Sequence, residues 1–278
     1  MEWKGRRGSS NVEDRRGMGG KTLVGGGIGS IILVIVVLFM GGDPSDILSG
    51  VTSSPTNTEY VETEQDKELA EFVSVVLADT EDVWSTIFEQ EGMTYREPTL
   101  VLFSGSVQSA CGMAGAAVGP FYCPADEKLY IDLSFYDELQ SNFKAPGDFA
   151  MAYVIAHEVG HHVQKLLGVS DEMAKIRNQV SEEEHNKYSV RLELQADYLA
   201  GVWAHHAKGM GVLEEGDYEE AITAASAVGD DTIQKRARGY VVPESFTHGT
   251  SEQRMRWFSK GFKAGNLDEG DTFKAANL

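Results

Sequence analysis

The sequence contains little cysteine and comparatively little positive charge. Its 278 residues include 2 cysteines, Cys111 and Cys123, which are too few for a disulfide scaffold but enough for one disulfide in an oxidising compartment. Zinc ligation by this pair is the alternative, although the spacing is not C-x-x-C and no histidine lies between them. Lysine and arginine number 24 against 43 aspartates and glutamates, which gives a formal net charge of −19. This deficit argues against a nucleic-acid-binding surface and mainly indicates solubility.

Long apolar runs are also rare, with one exception near the start of the chain. Residues 23–40 carry no charge and are at the lower end of the length that spans a bilayer. A cleaved signal peptide is the alternative, but residues 41–44 are a poor cleavage site. Six lysines and arginines precede the run and none follows it until Lys67. We therefore predict a single-pass anchor in the cell membrane, with a cytoplasmic N-terminus and an extracytoplasmic domain.

No internal repeat and no second globular domain is evident in the remaining sequence. Residues 1–22 are polar and rich in glycine and arginine, which predicts a disordered tail. Residues 41–65 have the composition of a flexible linker, residues 66–265 that of one folded domain, and residues 266–278 that of a loose polar tail. Helical periodicity dominates the domain and two short apolar segments are typical of strands, so the fold class is α+β and mainly helical.

The motif H-E-x-x-H occupies residues 157–161, in the middle of an amphipathic helical pattern. His157 and His161 are four residues apart and therefore lie about 40° apart around a helix, so both imidazoles can reach one ion. Glu158 projects beside that ion, where it can act on a metal-bound water. The alternative is a helix with solvated histidines, but its apolar neighbours indicate burial, where unpaired polar groups are costly. Gly160 permits close approach of another backbone or of substrate.

A catalytic zinc requires a third protein ligand. Six side chains downstream of the motif are candidates: His185, Glu193, Asp197, His205, His206 and His248. Glu193 and Asp197 lie four residues apart on one face of a second long helix, with apolar neighbours. Glu193 can bind zinc, and Asp197 can accept the other ring N–H of His157 and fix its tautomer. The alternative is a solvated acidic face that pairs with Lys187 and Arg191.

Three further histidines are not predicted to be ligands. His162 points away from the His157–His161 face and is interpreted as a packing residue. His205 and His206 are adjacent, so their side chains diverge by about 100° on a helix, and they are interpreted as surface residues.

H-E-x-x-H on one helix with E-x-x-x-D on a later one resembles the gluzincin class of zinc metallopeptidases. The likeness extends to the apolar N-terminal run, to the glycine-rich segment 110–124 with its two cysteines, and to segment 248–254. Over about residues 65–265 the sequence resembles the bacterial "putative neutral zinc metallopeptidase" family of membrane-anchored proteins. The resemblance implies a zincin-like domain with a small sheet beside the H-E-x-x-H helix, here preceded by one transmembrane helix. It also implies Zn²⁺ at His157, His161 and Glu193, with Glu158 as general base.

The predicted function is a membrane-anchored zinc metallopeptidase that acts on a peptide or protein substrate. His248, with Tyr240 behind it, is the candidate second donor to the oxyanion, and the alternative is a surface loop histidine. We expect the strand Leu129–Leu133, with Leu100–Phe103 as its neighbour, to line the cleft as an edge strand. A non-catalytic zinc-stabilised domain that binds a partner, and a zinc amidase acting on cell-wall amides, are the alternative functions.

Overall fold

We describe a computed structural model, of which residues 1–17 and 60–278 are described here. The helices are α1 (Glu64–Gln90), α2 (Phe135–Ser141), α3 (Asp148–Leu166), α4 (Val169–Arg177), α5 (Glu182–Gly209), α6 (Asp217–Ala227), α7 (Asp230–Arg238) and α8 (Ser251–Ala264). The strands are β1 (Val12–Asp14), β2 (Thr99–Phe103), β3 (Ser106–Ser109), β4 (Gly112–Gly115), β5 (Phe121–Cys123) and β6 (Lys128–Asp132). A mainly helical α+β domain with small sheets is therefore confirmed.

The main sheet has the strand order β1-β2-β6-β5. Strands β1, β2 and β6 run parallel, whereas β5 pairs antiparallel with β6, with Tyr122 opposite Leu129. The predicted edge strand is therefore wrong: Leu129–Leu133 corresponds to β6, which lies between β2 and β5. The sequence did not reveal β5, because three residues after a glycine-rich segment are too few to show alternation.

A disulfide joins Cys111 to Cys123, with an S–S distance of 2.01 Å. It connects the turn between β3 and β4 to the edge strand β5. The predicted disulfide is confirmed, and its formation excludes zinc ligation by these two thiols.

Helix α3 is the centre of the helical layer and is buried along most of its length. It packs against α5 because Gly160 has no side chain: a Cβ there would lie 2.9 Å from the carbonyl oxygen of Ala196. Helices α5 and α8 approach equally closely, since a Cβ on Gly201 would lie 2.1 Å from the carbonyl oxygen of Phe258. A capping box between Thr250 and Gln253 starts α8. These glycine contacts bring residues of three helices into one buried cluster.

The N-terminal residues 1–17 are part of the fold, which corrects the predicted disordered tail. Strand β1 adds to the edge of β2, and Arg6 donates to the buried carboxylate of Asp79 at 2.7 Å. Arg7 reaches the buried Glu81 at 3.1 Å. The basic residues that suggested disorder therefore neutralise carboxylates on α1, and only the tertiary structure brings these partners together.

The N-terminal segment and the domain pack into one body. Arg16 donates to the hydroxyl of Tyr60 at 3.0 Å and to Glu62 at 2.9 Å, so the two segments that flank residues 18–59 touch each other. The predicted span, residues 23–40, and most of the predicted linker lie outside the described residues. Within residues 1–17 and 60–278, no helix is both long and apolar enough to cross a bilayer. The transmembrane helix in the predicted fold class is therefore wrong. The predicted single-pass localisation is also wrong, because it placed the N-terminus and the domain on opposite sides of a membrane, whereas residues 1–17 contact the domain.

The C-terminal residues 266–278 are fixed on helix α5, although the sequence predicted a loose tail. Gln195 donates to the carbonyl of Gly270 at 3.0 Å, and Tyr198 donates to the carbonyl of Asn266 at 2.9 Å. Arg191 donates to the carbonyl of Ala275 at 3.1 Å. These contacts use backbone carbonyls of the tail, which no side-chain pattern in the sequence can reveal.

Candidate metal centre

The three predicted ligands meet between helices α3 and α5. Nε2 of His157 lies 3.1 Å and Nε2 of His161 lies 3.4 Å from the same carboxylate oxygen, Oε2 of Glu193. The three ligand atoms all lie within 4.8 Å of one another. Tetrahedral zinc with bonds of about 2.0–2.1 Å places its ligand atoms about 3.3 Å apart. The spacing therefore fits zinc.

The far sides of both rings are also bonded. Nδ1 of His157 lies 2.9 Å from Oδ1 of Asp197, and Nδ1 of His161 lies 2.8 Å from Oε1 of Gln164. Since both partners are acceptor oxygens, each neutral ring carries its proton on Nδ1 and presents an Nε2 lone pair to Glu193. Three acceptor atoms then face one another, and a shared cation satisfies all of them. The chemistry of the donor set therefore agrees with the distances.

Asp197 belongs to a fully buried ionic network. Arg254 donates through Nε to Oδ2 of Asp197 at 2.8 Å and through Nη2 to Oδ1 at 2.9 Å, and the hydroxyl of Tyr153 donates to Oδ1 at 2.6 Å. Burial disfavours the carboxylate, but the charges of Arg254 and His157 outweigh it and lower the pKa of Asp197 to about 2. Asp197 therefore stays ionised beside Nδ1 of His157.

The remaining pKa shifts follow from the same cluster of charges. Burial disfavours the protonated ring of His157, but Asp197 and the hydrogen bond to Glu193 prevail and raise its pKa to about 9. Burial likewise opposes ionisation of Glu193, yet the charges of His161 and His248 hold its pKa well below the usual range. The site therefore favours a positive charge next to an ionised Glu193.

Glu158 lies on α3 beside the ligands and is 8% exposed. Burial raises the pKa of its carboxyl above the usual value, while the charges of His161 and His157 act in the opposite direction. A carboxylate with a raised pKa is a better proton acceptor near neutral pH.

His248 lies in the loop between α7 and α8. The carboxylate of Asp230 holds this loop by accepting the backbone N–H groups of Thr247, His248 and Gly249 at 2.8, 2.7 and 3.0 Å. The side chain of His248 is 50% exposed, with Nδ1 3.4 Å from Oδ1 of Asp230. Partial burial lowers its pKa, but the charges of Glu193 and Asp230 prevail and raise it. His248 is thus within electrostatic range of the ligands, whereas the side chain of Tyr240 is 61% exposed at the surface.

The three histidines that were not predicted to be ligands, His162, His205 and His206, have structural partners. The ring of His162 is buried between the hydroxyl of Tyr122, 3.0 Å from Nδ1, and the carbonyl of Arg96, 2.6 Å from Nε2. His205 and His206 contact the carbonyls of residues 262 and 265 at 2.8 Å each, where helix α8 ends. None of the three rings joins the metal cluster.

A second group of acids, Asp148, Asp217 and Glu220, lies at the start of α3. It already has partners: the ammonium group of Met1 lies 2.7 Å from Asp148 and 3.4 Å from Asp217, and Glu220 accepts the N–H of Phe149 at 3.0 Å. This group therefore anchors the N-terminal segment and the helix that carries the motif.

Two functional candidates, Gln164 and Arg254, were missed as individual residues. Both fall in segments that carried the family resemblance, but neither is a usual ligand or catalytic type. The register of the last helix is the one sequence signal for Arg254, because a lone arginine on the apolar face of an amphipathic helix requires a buried anion.

Comparisons with known proteins identify a family and several relatives. The family model described as "Putative neutral zinc metallopeptidase" matches residues 1–273. "Uncharacterized protein YpfJ" of Escherichia coli (strain K12) is 49% identical over 284 residues, which cover 98% of this chain and 99% of that protein. "Uncharacterized protein Mb2605" of Mycobacterium bovis is 45% identical over 195 residues, which cover 66% of this chain and 65% of that protein. No solved structure matches significantly.

The family match begins at residue 1 and ends at residue 273, so it includes both terminal segments that pack on the domain. A family model that spans nearly the whole chain, together with a relative of this identity and coverage, shows common descent. The chain therefore belongs to this family of zinc metallopeptidases.

Proposed function

We propose that the chain hydrolyses peptide bonds with one zinc ion held by His157, His161 and Glu193. The observation that carries the proposal is the convergence of the two Nε2 atoms on Oε2 of Glu193, at 3.1 and 3.4 Å. Bound zinc supplies a Lewis acid that polarises the scissile carbonyl and makes water a stronger nucleophile near neutral pH.

Glu158 is the general base in this proposal. Its carboxylate accepts a proton from the attacking water while the water oxygen adds to the scissile carbonyl carbon. The same proton passes to the amide nitrogen as the C–N bond breaks, and the second water proton leaves the new carboxylic acid for the amine, so the products are a carboxylate and an ammonium group. The burial of Glu158 and its raised pKa support this role, because the group must both take up and release the proton.

His248 is the proposed donor to the developing oxyanion. The charges of Glu193 and Asp230 raise its pKa above the ordinary value, and its half-exposed side chain is available to a substrate. Asp230 fixes the backbone of the loop, so the position of His248 is set before substrate binds.

The edge strand β5 is the proposed backbone contact for a peptide substrate. Among the described residues, its outer edge has no strand partner. Tyr122 of this strand is bonded to His162, the residue that follows a proposed ligand, so β5 packs against the helix that carries the H-E-x-x-H motif. An extended peptide can add to such an edge through main-chain hydrogen bonds.

Glu158→Gln tests the proposal because it keeps the shape of the side chain but removes the base. Purified wild type and variant, each with its zinc content measured, are assayed on casein and on a diverse peptide library. We expect equal zinc content and a loss of peptide hydrolysis of about 100-fold or more in the variant. A zinc-loaded wild type as inert as the variant would contradict the peptidase and favour a non-catalytic zinc domain. Turnover of cell-wall amides without turnover of peptides would instead favour the amidase.

A further inference from the structure

Gln164 is completely buried between helices α3 and α5 and uses its whole amide group. Its Oε1 lies 2.8 Å from Nδ1 of His161, and its Nε2 donates to the carbonyl of Leu192 at 2.7 Å and to Oε1 of Gln195 at 3.1 Å. Because both N–H groups point at acceptors, the amide has one favourable orientation, with its oxygen toward His161.

The chain of hydrogen bonds continues to the C-terminal segment. Nε2 of Gln195 donates to the carbonyl of Gly270 at 3.0 Å. Each amide thus accepts a hydrogen bond from the side of the metal centre and donates one away from it. The last acceptor is itself fixed, since Tyr198 and Arg191 bind neighbouring carbonyls of the same segment.

We propose that Gln164 and Gln195, with the C-terminal segment at Gly270, are positioning residues for His161. They hold its ring in the tautomer and orientation that direct Nε2 toward the metal. This inference rests on the proposed metal site and deepens it. The C-terminal segment thereby acts as a support of the metal centre.

The two histidines are oriented by partners of different charge, and the surroundings explain why. Asp197 orients His157 as a carboxylate, and the buried Arg254 neutralises it. Gln164 contacts His161, a backbone carbonyl and another amide, so a carboxylate at this position would lack a comparable counter-charge. A neutral amide gives His161 an acceptor without adding a buried negative charge beside Glu158 and Glu193.

Zinc affinity tests the proposal without any substrate. The variants Gln164→Met and Gln195→Met each remove one amide while keeping a long unbranched side chain. We expect competition with a chromophoric chelator to show zinc affinity reduced about 10- to 100-fold for Gln164→Met and a few-fold for Gln195→Met. The double variant should be no weaker than Gln164→Met alone, because both amides act through one contact.

Two controls separate positioning from general packing. Gln164→Glu keeps an acceptor for His161 and should bind zinc more tightly than Gln164→Met. Gln234→Met removes another fully buried glutamine, whose bonds go to Val242 and Ser245, and should leave zinc affinity unchanged. If Gln164→Met fails to fold, the zinc affinity of Gln195→Met still tests the inference, because Gln195 is only partly buried.

Zinc affinity of Gln164→Met within twofold of wild type would overturn the inference. An equal loss of zinc affinity in Gln234→Met would also overturn it. So would a double variant in which the losses of zinc affinity from Gln164→Met and Gln195→Met add fully. If the wild type binds zinc and the variants rank as expected, but the wild type hydrolyses no peptide, this inference stands and the proposed function fails. A wild type that binds no zinc would remove both.

Discussion

Arg254 donates two hydrogen bonds to the carboxylate of Asp197, at 2.8 and 2.9 Å, and both side chains are buried. The last helix thereby reaches a group that orients a proposed zinc ligand on α3. The same arginine lies 3.1 Å from the hydroxyl of Tyr153 and 3.3 Å from Nδ1 of His157. Helix α8 therefore contributes directly to the architecture of the metal centre, although it supplies no ligand.

Replacing Arg254 should strongly destabilise the fold. In Arg254→Met, Asp197 becomes a buried charge without its cation, and we expect the free energy of unfolding to fall by about 3–5 kcal/mol. Urea denaturation of the metal-free protein measures the change. The matched control is Arg256→Met, because Arg256 lies two residues away and pairs with Glu252 at the surface. The control should change stability by less than about 1 kcal/mol, and equal losses in both variants would contradict the assigned network.

Gly160 should not tolerate a side chain. In Gly160→Ala the new Cβ would meet the carbonyl oxygen of Ala196 at 2.9 Å, so α3 and α5 must separate. We expect a loss of about 1–3 kcal/mol in stability and weaker zinc binding, since the ligands lie on these two helices. Thermal denaturation and chelator competition measure the two effects. Gly209→Ala is the control, because no atom lies within 4 Å of its added Cβ, and it should be neutral or slightly stabilising.

The N-terminal segment should contribute to the stability of the domain. In Arg6→Met, the carboxylate of Asp79, which is 3% exposed, loses its cation, and we expect a loss of about 1–3 kcal/mol in the free energy of unfolding. Lys4→Met is the matched control, because Lys4 pairs with Glu68 at the surface. Chemical denaturation of the full chain compares the two variants. Equal stability of Arg6→Met and Lys4→Met would show that the segment does not pack on α1 in solution.

Asp230 should make the stability of the fold depend on pH in the acidic range. Burial opposes its ionisation, but the hydrogen bond and charge of His248 and the backbone N–H groups of the loop lower its pKa below the ordinary value of 3.8. A carboxyl group whose pKa is lower in the folded than in the unfolded state stabilises the fold at pH values above its unfolded pKa. This contribution is lost as the pH falls through the folded pKa.

The variant Asp230→Asn measures this contribution. It should be less stable than wild type at about pH 7, and the difference should persist to about pH 5 and shrink below about pH 4. Denaturation of both proteins over this range gives the difference in free energy of unfolding. A difference that stays constant down to about pH 3, or one that grows on acidification, would contradict the role of the ionised carboxylate.

The sequence predicted the grouping of His157, His161 and Glu193 better than the structure of the chain termini. His157, Glu158 and His161 share one helix, so their relative positions follow from helical geometry alone. Glu193 required a second helix, but its spacing from Asp197 and its apolar neighbours supplied a usable signal. The edge strand β5 escaped detection because its three residues are too short for a period.

The termini were mispredicted for a different physical reason. Residues 1–17 and 266–278 are polar, and polarity is usually a sign of disorder. Here the polar groups have partners far away in sequence, such as Asp79 for Arg6 and Gln195 for the carbonyl of Gly270. The predicted cytoplasmic tail failed at the same place, because Arg16 donates to Glu62 at 2.9 Å and the N-terminal segment therefore packs with the domain as one body.

By itself, the sequence determined the helical class of the domain and the placement of His157, Glu158 and His161 together on α3. The placement of these three depends only on the local period of one helix. The tertiary structure alone decided how each ring is held. Asp197 with Arg254 supports His157, and Gln164 with Gln195 supports His161. These partners are bonded across helices that pack through Gly160 and Gly201, and hydrogen bonds between distant segments leave no periodic pattern in a sequence. The H-E-x-x-H helix supplies two of the proposed ligands, and its neighbours determine where their ring nitrogens point.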